Sequence, residues 1–300
     1  MFSHPRWILL ELTLFIAFGL SACGSLSGTK PAPTPIGPTA TSVAVLPTAT
    51  SQAMAATVNG QGITVANYTA ELARYKSAQQ ALNKNVSDTD ASKAVLEDLI
   101  DQVLLEQGAK AAGYEITDSA LQSRINALTS QFGGADKLSK WESDHGYTDA
   151  SFRTDLKRSI DGAWMRDKII NAVPTTADQV HVQQILLYNA NDAQSVLKQL
   201  QGGADFNKLA AQYDPNARGD LGWFPKGYLL DPNVEQAAFS LQVGQTSGVI
   251  QTGVGYDVIK VLARDAQHPL SPDANLAMQE QALKNWVTQQ RAQAAVVLAP

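Results

Sequence analysis

Three glycines within nine residues place the strongest constraint on the fold of this chain. They lie in the segment from Gly219 to Gly227, which also contains Leu221, Trp223 and Phe224. Glycine adopts backbone angles that other residues avoid, whereas large apolar and aromatic side chains are stable only in a packed environment. The combination predicts a tight, ordered loop with packed aromatic side chains, and it differs from the composition of a flexible linker.

The segment lies between stretches with clear predicted secondary structure. Apolar alternation predicts strands, and apolar residues at intervals of three or four predict helices. The elements predicted within residues 175–265 are a strand at 180–188, a helix at 192–201, a helix after the N-cap residue Asp205, the glycine-rich loop, a short helix at 234–239, and strands at 248–252 and 256–264. The predicted order is strand, helix, helix, loop, helix, strand, strand.

Four short motifs occur within this order of elements. They are Gly202-Gly203-Ala204-Asp205-Phe206, Gly219-Asp220-Leu221-Gly222, Ala237-Ala238-Phe239 and Val258-Ile259-Lys260-Val261. Together they resemble the parvulin family, the PpiC type of peptidyl-prolyl cis-trans isomerases. The resemblance implies catalysed rotation about the bond before proline, whose barrier is about 18–20 kcal/mol. It implies no cofactor, since such a site excludes water, holds the proline ring and stabilises the twisted amide with polar groups.

The resemblance implies four polar catalytic positions. The two histidines of the family fall on Gln184 and Asp257, the Cys or Asp position falls on Asp214, and the hydroxyl position falls on Thr252. The Gln184 amide can donate and accept hydrogen bonds, as imidazole does. Asp257 is expected to lie near Asp214, and two close carboxylates raise the pKa of at least one of them. The alternative interpretation of Asp257 is a solvated carboxylate at the start of a strand.

The resemblance also implies an apolar pocket for the proline ring. The Met position of the family falls on Leu229 or Leu230, and its Phe position falls on Val234, with Phe239 completing the predicted substrate-binding set. Leu and Val fill less space than Met and Phe. The predicted pocket is therefore apolar but shallower than that of the family.

Helical periodicity dominates residues 56–173. Val58 to Thr64 predicts a short hairpin with Thr64 as the N-cap of the next helix, and Thr117 and Thr148 predict two further helix starts. The pattern is similar to the N-terminal chaperone module of SurA- and PrsA-type foldases. The alternative is an all-helical core with no catalytic purpose.

A further helix is predicted at residues 272–297. Its predicted apolar face consists of Leu276, Leu283, Trp286 and Val287. Exposure of these side chains to water is unfavourable, so the helix is expected to pack back on the N-terminal helices. The predicted fold class is α+β, a mainly helical module of N-terminal helices and a C-terminal helix, with an inserted parvulin-like domain of a small antiparallel sheet and helices.

Residues 1–22 have the layout of a lipoprotein signal peptide. Arg6 precedes an apolar run from Trp7 to Leu20, which is short for a membrane span. Leu20-Ser21-Ala22-Cys23 resembles a bacterial lipobox, and Cys23 is the only cysteine, so it has no internal disulfide partner. We expect lipidation of Cys23; the alternative is an ordinary cleaved signal peptide. Residues 23–55, rich in Pro, Thr, Ala and Ser, predict a disordered tether.

Charge and composition exclude several functions. The net charge of -5 disfavours nucleic-acid binding, which requires clustered Lys and Arg. The four histidines lack the spacing of metal ligands, and no metal site is predicted. A solute-binding lipoprotein would need two α/β lobes, which the helical half does not predict.

The combined prediction is an extracytoplasmic foldase anchored to the cell membrane by its lipid. Its expected partners are unfolded or newly exported polypeptides that contain proline, and its expected reaction is peptidyl-prolyl isomerisation. Both family histidines are replaced, by Gln184 and Asp257. The alternative is therefore a catalytically weak or inactive holdase that uses the parvulin-like domain only to bind clients.

Overall fold

The computed structural model describes residues 53–299. The predicted signal peptide, Cys23 and all but the last few residues of the predicted tether lie outside this range. The helices are α1 (Val65–Ala81), α2 (Asp88–Ala111), α3 (Asp118–Phe132), α4 (Ala135–Asp144), α5 (Asp149–Asn171), α6 (Ala190–Gln201), α7 (Phe206–Tyr213), α8 (Pro232–Ser240) and α9 (Pro272–Gln293). The strands are β1 (Met54–Val58), β2 (Gln61–Thr64), β3 (Thr176–Leu187), β4 (Asp220–Pro225), β5 (Ile250–Gln251), β6 (Tyr256–Pro269) and β7 (Val296–Leu298).

Side-chain caps fix the starts of several helices. Thr64, Thr117 and Thr148 each accept a hydrogen bond from the backbone N–H three residues later, which confirms the predicted helix starts. Helix α4 was not predicted, because its N-cap is Gly134, which supplies no side-chain hydrogen bond. Of the helices between residues 53 and 299, none has the length and apolar character needed to cross a membrane.

The two ends of the described chain meet in a three-stranded antiparallel sheet with the order β2-β1-β7. The predicted hairpin of β1 and β2 is confirmed, and its turn residues Asn59 and Gly60 have positive φ angles of 51° and 83°. The predicted helix at 272–297 is wrong at its end, because α9 ends at Gln293 and Val296–Leu298 form β7, whose three residues are too few to show a period. Val58 and Ile63 are buried on the sheet face that packs against α2.

Helix α9 packs on α2 and α5 of the helical part. Ala274 and Val287 are its buried residues, and the ring of Trp286 lies against Gly108 of α2. The prediction that Leu276 shares this packed face is wrong, since 56% of its surface is exposed. The buried stripe instead follows a line that includes the small Ala274, which an apolar pattern based on large residues misses.

The segment between α5 and α9 forms a four-stranded antiparallel sheet with the order β4-β3-β6-β5. Helices α6 and α7 pack on one face of the sheet, against a cluster that includes Ile185 and Val258. Helix α8 packs on the other face, against a cluster that includes Val182 and Ile259. The α8 face holds most of the side chains that the sequence assigned to a site.

The glycine-rich segment is a strand and not a loop. Residues Asp220–Pro225 form β4 at the edge of the sheet, paired with β3. The register is irregular between Val182 and Gln183, where Gly222 has a positive φ of 67°. This irregularity explains the glycines that favoured a loop prediction. Phe224 is fully buried, as predicted for a core residue.

Candidate functional site

Two of the predicted catalytic residues lie on the same face of the sheet. Gln184 on β3 is paired with Ile259 on β6, and Asp257 on β6 is paired with Leu186 on β3. Paired residues in an antiparallel sheet project to the same face, and so do residues two apart on one strand. Gln184 and Asp257 are therefore diagonal neighbours on the α8 face, where Val234 of α8 is buried.

Asp257 is a buried carboxyl group. Only 3% of its surface is exposed, and its Oδ1 atom has no hydrogen-bond partner among the described residues. Burial raises the pKa of Asp257; the nearby Thr252 hydroxyl lowers it, and the charge of Asp231 raises it further. The alternative interpretation of Asp257 as a solvated carboxylate is therefore wrong, because Leu186 and Ile250 flank it on both neighbouring strands.

Asp214 has a different environment from Asp257. Its Oδ1 accepts hydrogen bonds from the backbone N–H of Asn216 (3.2 Å) and Ala217 (3.0 Å), and its Oδ2 accepts one from Gly219 (3.0 Å). The Gly219 and Ala217 bonds hold the pKa of Asp214 below its usual value. The expectation of a coupled Asp214–Asp257 pair is wrong, since Asp231 is the carboxylate that acts on Asp257.

The hydrogen bonds of Asp214 shape the backbone next to Gln184. They hold the turn that ends at Gly219, whose carbonyl accepts a hydrogen bond from the backbone N–H of Gln184 at 2.8 Å. Gln183 supports the same turn, because its side-chain Nε2 donates to the carbonyl of Arg218 at 2.7 Å. Asp214 therefore positions the chain beside Gln184. Whether it takes part in catalysis stays a prediction.

Thr252 closes the turn between β5 and β6. Its Oγ1 accepts a hydrogen bond from the Gly255 N–H and lies 3.2 Å from the Gly255 carbonyl, to which it donates. Thr252 directly follows β5, whose Ile250 is paired with Asp257, and its hydroxyl lowers the pKa of that carboxyl group. The structure thus places Thr252 at the rim of the candidate site.

The four predicted pocket residues differ in exposure. Val234 is buried, and Leu229 is half-buried against the same apolar cluster. Phe239 is half-buried and packs edge-on to Phe224, with ring centroids 6.1 Å apart. Leu230 is 88% exposed. The exposure of these four side chains thus ranges from buried to almost fully exposed. Their role in binding a proline ring stays a prediction.

Two acidic residues, which the sequence did not indicate, fix the backbone around these apolar residues. The Glu235 carboxylate accepts hydrogen bonds from the backbone N–H groups of Gly227, Tyr228 and Leu229. Asp231 is the N-cap of α8. The Asp-Pro pair at the start of α8 is a signal that identifies this cap. Glu235 carries no comparable signal, because its partners lie in an irregular segment before the helix.

A separate polar cluster lies along β4. Asp220 accepts a hydrogen bond from the Gly222 N–H at 2.8 Å and so braces the glycine-rich segment. Its Oδ1 also lies 2.8 Å from Nε2 of His181, and Trp223 stacks between His181 and His268. His181 is therefore not a substitute for the histidine replaced by Gln184. Within residues 53–299, no group of His, Cys, Asp and Glu side chains could hold a metal ion.

Two parts of the chain match known families. Residues 182–263 match the PPIC-type PPIASE domain, and residues 40–141 match the SurA-like N-terminal domain. The first of these ranges contains all the predicted catalytic and substrate-binding residues described above.

Curated relatives of the chain carry the name foldase protein PrsA. The protein from Geobacillus kaustophilus is 29% identical over 182 residues, which cover 58% of this chain and 63% of that protein. The protein from Pediococcus pentosaceus is 28% identical over 211 residues, which cover 65% of this chain and 70% of that protein. The alignment thus spans less than two thirds of the length of the Geobacillus protein.

Solved structures of similar proteins include the crystal structure of the peptidylprolyl isomerase PrsA from Bacillus cereus. It is 21% identical to this chain, has a TM-score of 0.43, and covers 77% of this chain and 82% of its own. The family matches and the curated relatives agree with the order of elements and motifs seen in the sequence. The chain therefore joins a SurA-like N-terminal domain to a PPIC-type PPIase domain, and it is similar in sequence to the PrsA foldases.

Proposed function

We propose that this protein is an extracytoplasmic foldase that binds unfolded exported polypeptides and catalyses peptidyl-prolyl isomerisation. The observation that carries the proposal is the match of residues 182–263 to the PPIC-type PPIASE domain, together with the position of Gln184 and Asp257 on one sheet face. This face also holds the apolar residues Val234 and Leu229. It combines apolar surface with the half-buried Gln184 and the buried Asp257, as the reaction requires.

The proposed reaction makes modest chemical demands on this face. Rotation about the prolyl bond breaks amide resonance but forms no covalent intermediate. Leu229 and Leu230 would contact the proline ring, and the water that a bound chain displaces from these side chains would favour the less polar twisted amide. The Gln184 amide offers both a donor and an acceptor, and it does not titrate. Catalysis would then depend on the arrangement of polar groups and not on a nucleophile.

A holdase that binds clients without isomerising them is the second candidate. The observation that favours it is the buried Asp257, whose Oδ1 has no hydrogen-bond partner within residues 53–299. This carboxyl group has no imidazole beside it to continue a hydrogen-bond chain such as a pair of histidines would form, because Gln184 stands at the other histidine position. In this case the domain would retain its apolar surface and lose most of its turnover.

The proposed partners and location rest on the sequence. The Leu20-Ser21-Ala22-Cys23 motif supports a lipid anchor at Cys23, and residues 23–55 support a tether that holds the folded part away from the membrane. Clients would be unfolded or newly exported chains that contain proline. Radiolabelled fatty acid incorporated into the wild-type protein, and lost in a Cys23→Ala variant, would test the anchor.

A refolding assay limited by prolyl isomerisation tests the proposed reaction. The wild-type protein, the Gln184→His/Asp257→His variant and a control with an exposed substitution, Gln289→Ala, are compared at equal concentration. Suppression of client aggregation is measured on the same samples. If the protein is an isomerase, the wild-type sample accelerates refolding. If it is a holdase, the wild-type sample suppresses aggregation and does not accelerate refolding. Wild-type protein that does neither would refute both candidates.

A further inference from the structure

One segment of the PPIase domain touches both the candidate site and the helical part of the chain. We call residues 226–230 the junction segment. At its start, Lys226 lines a cleft of about 440 Å³ together with Gln281 of α9 and the end of α5. At its end, Leu229 packs on the apolar cluster of the α8 face. The junction segment therefore connects α9 with the predicted proline pocket over five residues.

The contact with α9 is made through a glycine. Gly227 has a φ of 86°, and a Cβ atom at this position would lie 2.2 Å from Oε1 and 3.0 Å from Cδ of Gln281. The Gln281 amide thus lies directly against the Gly227 backbone, with no room for a side chain between them. A shift of α9 that moves Gln281 towards the PPIase domain would press its amide on the junction segment, which then moves unless the Gln281 side chain rotates away.

Glu235 fixes the other side of the same segment. Three consecutive backbone N–H groups, those of Gly227, Tyr228 and Leu229, converge on its carboxylate at 2.8–3.2 Å. Hydrogen bonds to a charged acceptor are roughly twice as strong as neutral ones. Glu235 follows Val234 directly on α8, so the carboxylate that holds the segment and the floor of the predicted pocket share one helix.

We propose that Glu235 and Gln281 are positioning residues for the predicted proline pocket, and that the junction segment couples the pocket to the helical part. Glu235 holds the segment in the shape that presents Leu229 and Leu230, and Gln281 makes that shape depend on the docking of α9. The proposal rests on the proposed function, since it assigns the pocket to proline-containing chains. Displacement of α9 by a bound client would then change the affinity of the pocket.

Amide hydrogen exchange on the full chain tests the positioning roles without reference to activity. The variants are Glu235→Gln and Gln281→Ala. Their matched controls are Glu280→Gln and Gln289→Ala, which make the same two substitutions at exposed positions of α9. Glu235→Gln is expected to speed exchange of the Gly227, Tyr228 and Leu229 amides by roughly 10- to 100-fold. Gln281→Ala is expected to speed the same amides by less, and neither control is expected to change them.

Binding of a short Ala-Pro peptide, followed by NMR on the same samples, tests the coupling. Both variants are expected to weaken binding and to shift the Leu229 and Leu230 methyl signals, while amides of the α2 core keep their exchange rates. Unchanged exchange rates of the junction-segment amides in Glu235→Gln would overturn the positioning role. If Glu235→Gln changes these rates and peptide binding but Gln281→Ala changes neither, the coupling to α9 is overturned. Failure of the wild-type protein to bind the peptide would refute the proposed function. The exchange rates and methyl signals of the variants would still test the positioning roles.

Discussion

Arg291, near the end of α9, donates a hydrogen bond from its Nε atom to Oδ1 of Asp101 in α2, 190 residues earlier in the chain. Its terminal nitrogen Nη2 also donates to the carbonyl of Glu97 at 2.8 Å. Burial raises the pKa of Asp101, and the hydrogen bond from Arg291 opposes that rise. This pair therefore ties the C-terminal helix to the N-terminal helices by satisfying a mostly buried carboxylate.

Replacement of Arg291 by Met is expected to lower the free energy of unfolding by about 2 kcal/mol, because Asp101 then loses the partner of its mostly buried carboxylate. Urea unfolding followed by circular dichroism measures the change. The double variant Asp101→Asn/Arg291→Met is expected to regain part of the loss, since it removes the unpaired charge. Equal stability of wild type and Arg291→Met would show that the pair contributes nothing to the docking of α9.

Two glycines in the helical part are expected to respond oppositely to substitution by alanine. An added Cβ at Gly108 of α2 would lie 2.6 Å from the Trp286 ring, whereas one at Gly162 of α5 would lie 3.5 Å from the Leu105 Cβ, an ordinary contact. Alanine normally stabilises a helix by about 1 kcal/mol relative to glycine. Gly162→Ala is expected to show most of this gain, and Gly108→Ala to destabilise by about 1–3 kcal/mol through overpacking.

Thermal or urea unfolding of the two alanine variants measures the signs. Tryptophan fluorescence provides an independent check, because a shift of the summed emission through displacement of the Trp286 ring from Gly108 is expected only in Gly108→Ala. A stabilised Gly108→Ala variant would show that α9 does not pack on α2 as closely as the structure has it.

Local signals made much of the fold predictable from the sequence. The caps at Thr64 and Thr117 depend only on residues close in sequence, so they were predictable. The motif around Gly219 identifies the PPIase domain, although its glycines predict a loop where the structure has a strand. The three residues of β7 are too few to show an alternating apolar pattern. They form a strand because they pair with β1. The exposure of Leu276 likewise depends on how α9 is rotated against its neighbours.

The candidate site was predictable in its residues but not in their environments. Position along β6 and the family resemblance identified Asp257, yet its burial follows from Leu186 and Ile250 on the two neighbouring strands. Asp214 was expected to interact with Asp257, and it instead binds three backbone N–H groups of its own turn. The pKa of a carboxyl group depends on such non-local packing and hydrogen bonding, which a single sequence does not contain.

Replacement of Asp257 by Asn is expected to change the pH dependence of stability. The pKa of Asp257 is higher in the folded protein than in the unfolded chain because of burial. The stability that this group contributes is therefore fully present below the usual carboxyl pKa and is lost as pH rises through the raised pKa. Asp257→Asn avoids that loss, so it is expected to be more stable than wild type at neutral pH by about 1 kcal/mol.

Urea midpoints from pH 4 to pH 8 measure this effect. The gain of Asp257→Asn over wild type is expected to shrink towards the acidic end, where the wild-type carboxyl group is protonated. The exposed Glu280→Gln variant is the control and is expected to follow the wild-type curve. A gain that is the same at both ends of the range would show that the ionisation of Asp257 does not limit stability.

Gly219 and Gly222 have similar φ angles but different surroundings. Alanine substitutions at the two positions therefore distinguish the cost of backbone strain from the cost of a steric clash. Their φ angles are 69° and 67°, and an added Cβ would lie 1.8 Å from the Gln184 carbonyl oxygen at Gly219 but in open space at Gly222. Gly222→Ala is expected to cost about 1–2 kcal/mol from the left-handed backbone alone. Gly219→Ala must also push β4 away from Gln184, and its expected cost is roughly 4 kcal/mol or more.

Urea unfolding measures both losses, and amide exchange at Gln184 locates the damage. The Gln184 N–H donates to the Gly219 carbonyl, so its exchange is expected to accelerate in Gly219→Ala and to stay near the wild-type rate in Gly222→Ala. Equal losses in the two variants would mean that backbone strain, and not contact with β3, accounts for glycine at residue 219. The larger loss at Gly219 would instead show that this glycine exists to let the edge strand approach Gln184 within hydrogen-bond distance.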